Sequence, residues 1–114
     1  MAESALARRL RDDLNAARKS QDRARVLLLG TVLSDLHNRE IELGRPLSDE
    51  DVVEVLRRAI RRRRESAEAM RSRPERAREE AWEADVLETY CPPALSDEEI
   101  RRMAREAIDA GAGS

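Results

Sequence analysis

Residues 43–51 read Leu43-Gly44-Arg45-Pro46-Leu47-Ser48-Asp49-Glu50-Asp51, LGRPLSDED, and this stretch decides how the chain is folded. Gly44 follows an apolar run, where a helix C-terminus favours a residue that can take positive φ. Pro46 lacks an N–H and cannot continue that helix. Ser48 then offers a side-chain oxygen to the orphan N–H groups of a new helix. Asp49, Glu50 and Asp51 set carboxylates at the positive end of its dipole. A helix stop, a short turn and a helix start in so few residues predict a helical hairpin.

Upstream, Val26, Leu29, Val32, Leu33, Leu36 and Leu43 recur at helical spacing, giving a second helix from about Gln21 to Leu43. Before it, Leu6, Leu10, Leu14 and Ala17 form the stripe of a first helix from about Glu3 to Arg18. Lys19-Ser20-Gln21 breaks the two apart, with Ser20 expected to cap the second. Downstream, Val52, Val53, Leu56, Ala59, Ile60, Ala67 and Met70 line a third helix ending near Ser72. Pro74 suits the first turn of a fourth helix, where its missing N–H costs nothing. Trp82, Val86, Leu87 and Tyr90 are its apolar side, and Cys91-Pro92-Pro93 ends it. Ser96-Asp97-Glu98-Glu99 reads as a capping box opening a fifth helix with Ile100, Met103, Ala107 and Ile108 on one side. Gly111 to Ser114 is expected to fray.

The fold class is therefore all-α. An antiparallel helical bundle over residues 1–91, with a long hairpin of the second and third helices, precedes the first helix of a small C-terminal subdomain over 92–114. Composition agrees. Of the 114 residues 40% are hydrophobic and only 2% aromatic, so the core must be aliphatic, and strands would lack their favoured residues. Cys91 is the only cysteine, which excludes an intrachain disulfide and a cysteine metal cluster. No metal and no cofactor are expected. No long apolar run predicts a membrane span, and the acid-bearing N-terminal segment does not read as a secretory signal. A cytoplasmic protein is the default expectation.

Charge is small in sum, formally −2, yet segregated. Ten arginines stand against three glutamates from Arg57 to Arg78, and ten acids against three arginines from Glu79 to Asp109. The densest basic stretch is Arg61-Arg62-Arg63-Arg64. A helix turns about 100° per residue, so these four cannot share a face. Arg57, Arg61 and Arg64 fall on one stripe and Arg58 and Arg62 on the next; all five are candidates for phosphate contact. Arg63 falls within the apolar face and needs a partner or a path to water. With the turn centred near Arg73, it stands level with Glu83, which is expected to form a structural ion pair with it, or failing that Glu79. No aromatic residue interleaves with the arginines, which disfavours reading of single strands by base stacking.

Catalytic signals are poor. His37 is the only histidine, Cys91 reads as an inert thiol, and Glu40 reads as a structural residue on the apolar side of the second helix. There is no glycine-rich phosphate loop, metal-ligand spacing or nucleophile elbow. No catalytic residue is assigned.

The segments from Lys19 to Met70 and from Glu79 to Ile100 resemble the GatB/YqeY family of small helical proteins. The closest features are Asn38-Arg39-Glu40-Ile41-Glu42, Arg63-Arg64-Glu65-Ser66, Leu87-Glu88-Thr89-Tyr90 before a proline, and Leu95-Ser96-Asp97-Glu98-Glu99. The resemblance implies a helical bundle followed by a smaller helical subdomain. It also implies kinship with the tail of the B subunit of tRNA-dependent amidotransferase, a carbon–nitrogen ligase that uses glutamine as amide donor and whose catalytic sites lie in other domains. The implied function is a tRNA-associated module linked to that amidotransferase and non-catalytic by itself. The alternative is an adaptor docking on a larger protein partner, for which an exposed patch of Ile100, Met103 and Ile108 would speak. Three departures stand out: Met70 where an aromatic is usual, Ser72-Arg73-Pro74 in place of a glycine turn, and Cys91 where an aliphatic residue is common. Family members generally continue for several tens of residues beyond the equivalent of Ser114.

Overall fold

The computed structural model describes residues 3–93 and 97–112. They form five helices: α1 (Ala5–Lys19), α2 (Arg23–Leu43), α3 (Asp49–Ala69), α4 (Pro74–Glu88) and α5 (Asp97–Ala112). No strand occurs among the described residues.

The stretch 43–51 folds as its chemistry dictates. Gly44 takes φ 67° and donates its N–H to the Glu40 carbonyl at 2.9 Å, closing α2. Ser48 accepts from the Asp51 N–H while the Asp51 carboxylate accepts from the Ser48 N–H, a reciprocal cap of α3. Arg45 Nη1 adds a 2.7 Å ion pair to Asp51. These donors, the Arg45 guanidinium first, hold the Asp51 carboxyl well below the usual carboxylate range.

The first turn differs from expectation. Ser20 ends α1 rather than capping α2; Asp22 is the N-cap of α2 and accepts from the Arg25 N–H at 3.2 Å. Gln21 takes φ 60°, and Asp22 N–H reaches back to the Ala17 carbonyl at 2.9 Å. That is a Schellman closure with glutamine in the place glycine favours. At the next turn α3 ends at Ala69, short of Ser72, and Pro74 occupies the first turn of α4.

α2 and α3 run antiparallel, joined by Arg45–Asp51 at the turn and by Arg62–Asp35 further along. The most extensive packing is between α3 and α4, followed by α1 against α2. The core contains Leu10 and Leu14 of α1, Leu28, Leu29, Val32 and Leu36 of α2, Leu47, Val52, Val55, Leu56 and Ala59, and Val86, Leu87 and Tyr90. Each fully buried leucine contributes roughly 1.5–3 kcal/mol. Leu28 and Val55 are core residues outside the expected stripes. In Leu27-Leu28-Leu29 the apolar run has no unique phase, and packing turns Leu27 outward to 73% exposure. Trp82, expected inward, is 37% exposed with the Arg25 guanidinium over its ring at 5.7 Å.

Two long-range polar contacts fasten α1. The Ser4 hydroxyl, itself capping α1, donates to the Asp49 carboxylate, which also accepts from the Leu6 N–H at 3.2 Å. This carboxylate, carried by the first residue of α3, thus serves the N-terminus of α1. At the other end Tyr90 donates its hydroxyl to Asp13, and Arg9 lies over the Tyr90 ring at 4.8 Å.

α5 extends through Gly111 to Ala112, two residues into the tail expected to fray. Residues 113–114 and Ser96 of the expected capping box lie outside the described residues. Among the described residues, α5 makes no extensive packing on another helix. No described helix is long and apolar enough to cross a membrane.

Candidate nucleic-acid interface

Packing fixes which side of α3 meets solvent. Val52, Val55, Leu56 and Ala59 are buried, so the opposite surface carries Arg57, Arg58, Arg61, Arg62 and Arg64, all exposed. The structure thus brings the five sequence candidates to one exposed surface, but in different electrostatic situations.

On the α2 side, Arg62 Nη2 lies 3.3 Å from Asp35 Oδ2, and Arg58 Nη2 lies 3.0 Å from Glu54 Oε1 one turn back on α3. On the α4 side, Arg64 Nη2 bridges Asp85 at 3.0 Å and Glu88 at 2.9 Å. Hydrogen bonding to Asp85 and then to Glu88 pushes the Arg64 pKa further up. Arg57 and Arg61 lie between these sides. Among the described residues neither has a carboxylate in salt-bridge range.

Two grooves flank the stripe. One, between α2 and α3, is lined by Asn38, Arg39, Arg58, Arg61 and Arg62 with the carboxylates of Asp35 and Glu42. The other, between α3 and α4, is lined by Arg57, Arg61, Arg64 and Glu88 and ends on Cys91, Pro92 and Pro93. Arg61 belongs to both.

Arg63 is only 14% exposed, and its Nε lies 3.4 Å from Glu83 Oε1. That nitrogen is buried without hydrogen-bond geometry, while Nη1 donates to the Ala59 carbonyl at 3.1 Å. Burial raises the Glu83 carboxyl pKa, with Arg63 pulling the other way and Glu80 adding to the rise. Glu79 instead faces Arg76 at 3.9 Å on the surface.

Cys91 lies in a different groove from His37 and Glu40, which share one. Cys91 is half-buried; burial pushes its thiol up, against the nearby Arg57 charge, so it is protonated at neutral pH and a poor nucleophile. Glu40, expected on the apolar side of α2, is exposed, as is His37. The width of the apolar face of α2 is narrower than its sequence suggested, and both residues fall at its edge beside a surface cavity that also meets Glu3, Arg11 and Pro46. No cluster of three or more histidine, cysteine or acidic side chains suited to a metal ion occurs among the described residues.

Sequence reasoning missed Arg39 and Asn38 as groove residues, and Asp35, Asp85 and Glu88 as partners. A signal existed for the α2 side. Asp35, Asn38, Arg39 and Glu42 form an i, i+3, i+4, i+7 stripe, and the turn at 44–48 sets them opposite Val55, Arg58 and Arg62.

Compared with known proteins, the chain matches the family model described as Yqey-like protein over residues 7–114. No curated protein matches it.

Proposed function

The chain belongs to the Yqey-like protein family, and on that premise we propose that it is a tRNA-associated helical module, linked to tRNA-dependent amidation and without catalytic chemistry of its own. The observation that carries this reading is the pair Arg57 and Arg61, exposed side by side on α3 with no carboxylate partner among the described residues. Unpartnered guanidiniums gain most from a phosphate, because no existing ion pair has to open. Arg58 and Arg62 flank them and hold exposed ion pairs that contribute little to stability. Trp82 and Tyr90 each lie under an arginine, so contact runs through the phosphate backbone rather than by stacking on bases. The amidotransferase link rests on the family resemblance alone. The raised thiol pKa of Cys91 supports a non-catalytic role.

The test is a fluorescence-anisotropy titration of labelled tRNA at several salt concentrations. Weak binding is expected, with log affinity falling by about 0.7–0.9 per decade of salt for each phosphate contacted. Absence of binding at low salt contradicts the reading.

One observation favours a second reading, an adaptor that docks on a protein partner. Met103 is 52% and Ile108 68% exposed on α5. Ile100, expected in the same patch, lies outside the described side chains. Co-purification of a defined protein that is lost on Met103→Glu and Ile108→Glu would support it.

A further inference from the structure

We infer that the RNA backbone runs from the exposed Arg57/Arg61 pair into the groove between α2 and α3, with Arg39 of α2 as a phosphate ligand, and not onto the α4 wall; this rests on the tRNA reading above. The two sides of the arginine stripe are not equivalent. The α2/α3 groove has guanidiniums on both walls: Arg39 from α2, and Arg58, Arg61 and Arg62 from α3. Asn38 adds a neutral amide donor on the α2 wall. A phosphodiester seated there meets cations from two directions, the geometry that fixes a backbone in register. The α4 wall offers the reverse. It presents Asp85 and Glu88 to the stripe, both paired with Arg64, and ends on the apolar Cys91-Pro92-Pro93 segment. A phosphate approaching Arg64 must displace two carboxylates and then stay beside them.

The pairs within the α2/α3 groove are easier to open. Arg39 Nη1 meets Glu42 Oε2 at 3.0 Å within one helix turn, and Arg62 meets Asp35 at 3.3 Å through a single nitrogen. Each joins one arginine to one carboxylate, whereas Arg64 is held by two. Arg61 also lines this groove and, among the described residues, has no ion pair to open.

Two matched pairs of substitutions test the inference, each changing the net charge equally on the two sides. Labelled tRNA is titrated with the wild-type protein and with Arg39→Gln, Arg64→Gln, Asp35→Asn and Asp85→Asn, and circular dichroism checks helicity of each. Arg39→Gln is expected to weaken binding and to lower the salt slope by about one phosphate contact, 0.7–0.9, whereas Arg64→Gln leaves the slope unchanged. Asp35→Asn is expected to tighten binding more than Asp85→Asn. Equal effects within each pair, or a larger effect on the α4 side, overturn the groove assignment while leaving tRNA binding intact. No binding by the wild-type protein removes both. Arg39→Lys, which keeps the charge, covers any loss of folding in Arg39→Gln: it is expected to retain the wild-type salt slope, and a slope lowered to the Arg39→Gln value contradicts the assignment.

Discussion

Arg63 and Glu83 meet across the seam of α3 and α4 with their charged atoms 3.4 Å apart, in a place where neither side chain is more than 30% exposed. Burial raises the Glu83 pKa even with the guanidinium beside it. The folded chain therefore holds the Glu83 proton more tightly than the unfolded chain does. The stabilisation belonging to that proton is fully present below the ordinary carboxylate pKa and is lost as pH rises through the raised folded value. At neutral pH Arg63 partly offsets the cost of keeping Glu83 ionised. Arg63→Met is expected to cost about 1–2 kcal/mol at pH 7, less at pH 4, and to be largely rescued by adding Glu83→Gln. Urea unfolding of the four members of the cycle at both pH values checks this. A cost independent of pH, with no rescue, would count against it.

Tyr90 gives a spectroscopic handle at the junction of α4 with α1. It is the only tyrosine, it is 6% exposed, and its hydroxyl donates to Asp13. Burial, then the bond to Asp13, pushes its pKa up to about 12. Stability from this group is present below the ordinary phenol value near 10 and is lost as pH rises through about 12. An absorbance titration of the folded protein should show no phenolate near pH 10. Tyr90→Phe, which keeps the ring and removes the bond, should cost about 1–2 kcal/mol. A midpoint near 10 in the still-folded protein would contradict the burial of this hydroxyl.

The two closures in left-handed backbone make opposite predictions. Gln21 at φ 60° carries a Cβ where glycine would have none, so Gln21→Gly should stabilise by about 0.5–1 kcal/mol. Gly44 at φ 67° already has the favoured residue, so Gly44→Ala should destabilise by about 1 kcal/mol, although no side chain stands within 4 Å to clash. Thermal melts of both variants decide it. A Gly44→Ala protein as stable as wild type would show that the α2 terminus takes another conformation.

What could be read from the sequence was local. Gly44, Pro46, Ser48 and Pro74 state their roles through backbone chemistry, and they act within a few residues. The phase of an apolar run is less legible. Leu27, Leu28 and Leu29 are chemically alike, and only the neighbouring helices decide that Leu27 is the one left out. Contacts between distant segments were least accessible. Nothing near Ser4 or Asp49 in sequence announces that they share a hydrogen bond, or that Asp13 receives the Tyr90 hydroxyl. The arginine stripe falls between these cases. Helix projection sorted Arg61, Arg62, Arg63 and Arg64 by direction, but the carboxylates that occupy Arg62 and Arg64 come from α2 and α4.

The central claim is that Arg57 and Arg61 of α3 contact tRNA phosphates. Its most direct test is the affinity of labelled tRNA for the wild-type protein and for Arg57→Glu/Arg61→Glu at low salt, with circular dichroism to verify the fold. Both side chains are exposed and outside the core, so the double variant is expected to stay folded. The account predicts that it loses measurable binding while the wild-type protein binds with a steep salt dependence. Wild-type affinity in the folded double variant would contradict it.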